Sequence, residues 1–348
     1  MSALGRLAYA ASQGARVAWY SAHYALARKL SGPVTPAGEP RFAPQSKPGA
    51  PRDIRRAFLE LFAKDRANIE AGLYPAPADF HPANLLSALE HSRRFFADLP
   101  AVDARRLARR GVEIREGEGA PRDYPAYYLQ NFHYQTGGWL TRESAALYDT
   151  QVEVLFAGAA DAMRRVGLGL LAQAWRGRDQ RGAALLDVAC GNGRFLMQAL
   201  EAFPRLRVSA LDLSPAYLSE ARARLKPWPQ ADFIEARAEA MPIADGAFDA
   251  AACIYLFHEL PPRVRRQTAG EIARVLKPGG VLMFADSVQA GDTPALDRML
   301  EYFPLGFHEP FYASYQKEDL PALFADAGFT LKRTETAFLT KAMLFRKF

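Results

Sequence analysis

The chain has 348 residues, 49% hydrophobic and 24% charged, with 22 Phe and 14 Tyr available to a core and a formal net charge of +6. That is the composition of a globular protein of one large or two ordinary domains, and no stretch approaches the roughly 20 unbroken apolar residues of a membrane-spanning helix. The charge is uneven: residues 1–64 hold ten Lys and Arg against Glu39, Asp53 and Glu60, a balance of +7, so the remainder sums to about −1. A nearly neutral body argues against a nucleic-acid substrate, which calls for basic surface around the site. Two cysteines, Cys190 and Cys253, frame no disulfide scaffold and read as small core residues in a reducing, cytoplasmic setting.

In chain order, residues 1–30 predict a basic amphipathic helix. Leu4, Leu7, Ala11, Ala18, Trp19, Ala22 and Leu26 keep helical spacing, and the only charges are Arg6, Arg16, Arg28 and Lys29. It has two readings: peripheral contact with an anionic membrane surface, or packing on its own domain or a partner. Residues 31–52, with six prolines and three glycines, predict a linker. Residues 53–150 predict a helical and aromatic accessory region, a candidate lid, with helices at 53–71, 82–97 and 103–110. Within it, 121–140 gathers four Tyr, Phe132, His133 and Trp139. One or two helices are expected over 143–176.

From residue 183 short apolar runs alternate with helical patterns at 194–202, 215–225 and 262–276, which predicts a parallel sheet covered on both faces. The terminal "FTLKRTETAFLTKAMLFRKF" reads as a hairpin adding an antiparallel strand.

The segment "LLDVACGNGRFL" is a strand, a glycine turn and a helix start. In such sheets ligands bind beyond the carboxyl ends of the strands. Gly191 and Gly193 let backbone approach a ligand, Asp187 closes the strand, and Asp212 follows Gly191 by 21 residues at the next strand end. This is the layout of an adenosine-containing cofactor site. Leu196 stands where a dinucleotide site wants its third glycine, and Asp187 would repel a pyrophosphate, so a sulfonium cofactor fits better.

With "LDLS", "AEAMPIADGAFDAAACIYLFHEL" and "EIARVLKPGGVLMFADS" following in order, residues 151–348 closely resemble class I S-adenosylmethionine-dependent methyltransferases, in the style of the ubiquinone/menaquinone biosynthesis group. The resemblance implies an α/β fold: a doubly wound, mostly parallel seven-stranded sheet with an antiparallel C-terminal hairpin strand, behind a mainly helical N-terminal extension. It implies S-adenosylmethionine as cofactor, with Asp187, Gly191 and Gly193 at the methionine moiety, Asp212 at the ribose hydroxyls and Leu213 under the adenine. Ala238 and Glu239 would flank the adenine edge, and Cys253 and Ile254 the sulfonium. Ala189 stands where the family often has a glycine, and Arg237 where many relatives carry an Asp toward the adenine amino group.

Methyl transfer requires alignment, exclusion of water and, for some acceptors, a base. Candidates are His258 beside Glu259, His308 and Glu309 among Phe303, Phe307, Phe311, Tyr312 and Tyr315, and His133 with Tyr134. Each His also has a structural reading, as a turn cap or a packed core residue. No metal is expected. The acceptor implied is a small, lipophilic or aromatic molecule of quinone or isoprenoid character, methylated on carbon or oxygen. The rivals are a soluble secondary metabolite as acceptor and a non-catalytic partner built on the same fold. Homo-oligomerisation stays open.

Overall fold

In the computed structural model, the description covers residues 1–33, 35, 38, 42–77, 85–116, 123–177 and 179–348. Residues 34, 36, 37 and 39–41 of the expected linker, 82–84 of the expected 82–97 helix and 121–122 of the aromatic piece lie outside it.

Seven strands form one sheet: β1 (Ala184–Val188), β2 (Arg207–Asp212), β3 (Ala231–Glu235), β4 (Phe248–Ile254), β5 (Leu276–Ser287), β6 (Phe329–Ala337) and β7 (Thr340–Lys347). Their order is β3-β2-β1-β4-β5-β7-β6. The pairs from β3 through β5 are parallel, while β7 runs antiparallel to both β5 and β6. The whole β6–β7 hairpin thus joins the sheet, with β7 inserted beside β5.

The central strands are apolar on both faces, as strands covered by helices must be. Leu185, Ala250, Ala252, Met283 and Ala285 face one core and Leu186, Ala251, Cys253, Leu282 and Phe284 the other, the period-2 alternation of a pleated strand. Residues 142–175 supply two helices, Arg142–Leu155 and Ala160–Ala174, separated where Ala157 and Gly158 turn to positive φ. The second is buried along nearly its whole length against the first core. Gly167 there meets Met283, leaving no room for a Cβ, which would stand 2.5 Å from the sulfur. Further helices are Arg194–Ala202 and Pro215–Arg224 on that side and Pro262–Val275 and Leu320–Asp326 on the other.

The N-terminal region contributes Ala3–Leu30, Pro51–Glu70 and Leu85–Leu107. The last joins the two helices expected at 82–97 and 103–110 into one, running through Pro100. A proline inside a helix removes one backbone donor and strains one turn, which need not end a helix of this length.

The first helix is seated by polar networks rather than by its apolar stripe. Tyr9 and Tyr74 donate to the two oxygens of Asp65 at 2.6 and 2.9 Å, and Arg165 grips the same carboxylate at 2.8 and 2.8 Å. Arg16, 4% exposed, reaches Asp161 at 2.6 Å and Glu153 at 2.7 Å. Arg164 and Arg194 converge on Asp161 as well, each with a contact of 3.0 Å. Leu4, Leu7, Leu26 and Leu30 consequently face outward.

Candidate active site

The site lies beyond the carboxyl ends of β1, β2 and β4, where the strand order reverses. After β1 the chain turns through Ala189 at φ +60°, Gly191 at +55° and Gly193 at +76°. Ala189 adopts the left-handed conformation a glycine would take, at a cost of about 1–2 kcal/mol. A Cβ on Gly193 would press on Ala221 at 3.2 Å, so this glycine packs the turn against the Pro215–Arg224 helix. Arg224 braces the same turn through the Asn192 carbonyl and side chain, at 2.9 and 2.6 Å.

Asp212 ends β2, with Oδ2 accepting from Gly191 N and Oδ1 from Ser214 N, both at 2.8 Å. Burial raises its pKa to about 6 against those hydrogen bonds. Asp187, 2% exposed, is pushed well above the carboxylate range by burial and then by the Asp212 charge. Its Oδ2 has no hydrogen-bond partner among the described residues, which is the vacancy a ligand ammonium group would fill. Two strand-end carboxylates around a close-approach turn fit an aminoacyl-adenosine cofactor.

A pocket of about 790 Å³, open mouth included, is lined here by Ala189, Gly191, Asp212, Leu213, Ala238 and Ile254. Its other wall is aromatic: Tyr127, Tyr128, Phe132, Trp139, Tyr148 and Tyr217. The Trp139 ring centre lies 5.9 Å from Phe132 and 5.4 Å from both Tyr148 and Tyr217. Ser214 ties this wall to β2 through the Trp139 carbonyl at 2.5 Å.

The other expected residues fall in different places. Glu239 is not among the lining residues; it accepts from Tyr127 OH at 2.6 Å. Arg237 turns away to the Asp123 carbonyl at 2.6 Å. Cys253 packs into the core opposite the pocket side, because alternate strand residues face opposite ways, so of that pair Ile254 alone lines the pocket.

His258 is buried, with Nδ1 2.5 Å from Asp286 Oδ1. Burial opposes its charged form, but the Asp286 charge and hydrogen bond outweigh it and lift the pKa to about 10. It is an imidazolium held in place, with Nε2 3.9 Å from Glu259 Oε1. His308 does not line the pocket; its Nε2 is 2.7 Å from Gln130 Oε1, and its ring fills the space above Gly111, where a Cβ would stand 2.2 Å away. Tyr134 is buried against the His308 ring at 5.7 Å. These two form packing behind Phe132.

His133 and Glu309 come together instead, with Nε2 and Oε1 3.0 Å apart, and Glu259 joins them so that one ligand atom from each lies within 4.8 Å of the others. Glu259 lines the pocket beside Tyr255, Leu256 and Leu260. Burial and the neighbouring Glu309 charge raise its pKa well above the usual range, although His258 opposes this. His133 and Tyr134 have φ of +55° and +56°, a strained pair in which the surrounding structure over-determines the backbone. The sequence reading put Asp286 in no role. Its signal was an acid at the end of the fifth apolar run, where Asp187 and Asp212 end theirs. Tyr255 carried no sequence signal.

Fold and site together define a nucleotide-cofactor α/β enzyme class. The model of a family described as "Methyltransferase domain" matches residues 185–280. The ubiquinone/menaquinone biosynthesis C-methyltransferase of Methylobacterium nodulans is 33% identical over 47% of this chain and 63% of its own length, so the chain spans just under two thirds of that relative. A Penicillium expansum O-methyltransferase is 35% identical over 43% of this chain and 52% of its own. A demethylmenaquinone methyltransferase of Listeria welshimeri is 30% identical over 45% of this chain and 74% of its own length. The chain belongs to the class I S-adenosylmethionine-dependent methyltransferases and, within them, resembles the ubiquinone/menaquinone biosynthesis group. Its cofactor is S-adenosylmethionine.

Asp212→Ala is expected to weaken cofactor binding by about 1–3 kcal/mol, as loss of a carboxylate paired with two hydroxyls would. Calorimetry on the variant checks this, and unchanged affinity would sink the assignment. With Asp212 at about 6, binding to the wild type should weaken as pH falls through that value, because the acceptor carboxylate is lost. For folding of the free chain the sign is opposite. A raised carboxyl pKa contributes stability below its unfolded value of about 4 that is lost as pH rises through 6.

Proposed function

We propose that the chain methylates a carbon or oxygen of a small lipophilic or aromatic acceptor of quinone or isoprenoid character. The supporting observation is that one pocket is lined by the strand-end carboxylate Asp212, by Glu259 and by a largely aromatic wall. When bound, S-adenosylmethionine supplies a sulfonium methyl group open to in-line displacement. Asp187 and Asp212 hold it, Ile254 borders it, and Tyr128, Trp139 and Tyr148 exclude water and offer flat apolar faces to a ring-shaped acceptor. Glu259, whose proton affinity is raised by burial and by Glu309, takes the acceptor proton, with His258 3.9 Å away. The accessory residues 124–148 act as a lid over the cofactor. Relatives named for ubiquinone/menaquinone biosynthesis and demethylmenaquinone support the acceptor class.

The outward Leu4, Leu7, Leu26 and Leu30, with Arg6, Arg28 and Lys29 beside them, support contact of the first helix with an anionic membrane surface. No described helix is long and apolar enough to cross a membrane.

The test is incubation with labelled S-adenosylmethionine and separated lipid and aqueous extracts of the source cell. Label should enter an isoprenoid or quinone-like lipid. When that lipid is presented in anionic vesicles, Leu4→Gln/Leu7→Gln should cut turnover severalfold, with little change when it is presented in detergent. Label in a water-soluble metabolite would make the lipophilic reading wrong, and no label despite tight cofactor binding would favour a non-catalytic partner.

A further inference from the structure

At the acceptor end of the pocket the negative charge is under-compensated. Glu309 is 2% exposed, and neither carboxylate oxygen has a hydrogen-bond donor aligned on it among the described residues. Among the described residues, the ion pairs of Glu309 and Glu259 involve only His133 and His258, with no Lys or Arg. His258 is already committed to Asp286 at 2.5 Å. Glu259, Glu309 and Asp286 thus share only the two imidazoles of His133 and His258 as basic ion-pair partners among the described residues. Buried carboxylates in this position are satisfied by a proton or by a cation.

The geometry around His133 separates these two. Its Nε2 lies 3.0 Å from Glu309 Oε1, yet neither Glu309 oxygen has a hydrogen-bond partner among the described residues. Three donors on one ion at about 2.1 Å stand roughly 3 to 4.2 Å apart, and His133, Glu259 and Glu309 present one donor atom each within 4.8 Å. Modest side-chain movement would bring the three donors to one ion. His133 is delivered there by a left-handed backbone at φ +55°.

We propose that His133, Glu259 and Glu309 form a divalent-cation site at the acceptor end of the pocket, for a first-row ion such as Mn²⁺ or Zn²⁺. One imidazole and two carboxylates suit such ions and leave coordination positions open. Because Glu259 lines the pocket, those positions face the acceptor. A hydroxyl oxygen of the acceptor bound there loses its proton more readily and is fixed in place. This inference rests on the methyl-transfer reading for its use, but the site exists or fails independently of it. It also departs from the sequence expectation of no metal.

The experiment is titration of the chelator-treated full chain with Mn²⁺, following loss of the free-ion electron paramagnetic resonance signal, with no cofactor or acceptor present. One Mn²⁺ should bind per chain and be displaced by Zn²⁺. Glu309→Gln and His133→Ala should each weaken it at least about tenfold, while Asp179→Asn on the exposed surface should not. A melting series guards against a misfolded variant. Glu309→Gln without metal should melt at or above the wild-type temperature, because a buried carboxylate facing Glu259 is gone, and saturating Mn²⁺ should stabilise the wild type alone. Absence of a stoichiometric site for either ion, or binding that survives both substitutions, overturns the proposal. So does full methyl transfer by metal-free protein, which would leave the acceptor reading intact. Failure to find an acceptor leaves the resonance result standing.

Discussion

Glu259→Gln is expected to lower kcat by about 10²- to 10⁴-fold, the range associated with a positioned general base, with S-adenosylmethionine affinity nearly unchanged. The amide keeps the size of the side chain and its place beside Tyr255 and Leu260 on the pocket wall. It cannot accept a proton, whereas burial and Glu309 raise the proton affinity of the carboxylate. Single-turnover rates with the labelled acceptor, set beside calorimetric cofactor affinity, separate the two effects. A kcat within about threefold of wild type would remove Glu259 from the chemistry. His308→Ala should act differently: its ring lies outside the pocket, against Gln130 and over Gly111, so losses there should follow packing and appear in stability along with turnover.

Asp161→Asn should destabilise the chain by about 3–5 kcal/mol, because removing one partner of a buried ion network leaves uncompensated charge. Arg16, Arg164 and Arg194 all converge on this carboxylate, and an uncharged amide cannot balance them. For a chain of this length that corresponds to a melting temperature about 4–7 °C lower. Burial opposes its ionisation, but Arg194 and Arg16 hold Asp161 well below the usual range. Its contribution is therefore present above the ordinary aspartate pKa and fades as pH falls, so the gap between variant and wild type should close on acidification. A melting temperature unchanged at neutral pH would show that the network is not needed. Because Arg194 directly follows Gly193, the same carboxylate joins the first helix to the cofactor turn. Loss of the network should also expose Arg16 to trypsin.

The first helix shows how far periodicity reaches. Its apolar spacing correctly predicted a helix, and the residues of that stripe point outward, apart from the half-buried Trp19. Burial instead went to Tyr9, Gln13 and Arg16; the partners of Tyr9 and Arg16, Asp65, Asp161 and Glu153, lie 56 to 145 residues away. A hydrophobic pattern reports which face is apolar, whereas a buried ion pair is visible only once both halves are placed. His308 and Glu309 show the same limit at closer range: adjacent in sequence, they part company, one to Gln130 and the other to His133 and Glu259.

What the sequence by itself determined was the local grammar of the cofactor half. Strand–helix alternation, the glycines at the first turn and the acids at two strand ends are short-range features, set by backbone conformation and strand period within a few residues. They carried the sheet, its terminal hairpin and the cofactor. Only the tertiary structure decided the acceptor half: which aromatics wall the pocket, that Asp286 charges His258, and that His133, Glu259 and Glu309 meet. Those contacts join residues as much as 176 positions apart, and one sequence has no short-range signal for them.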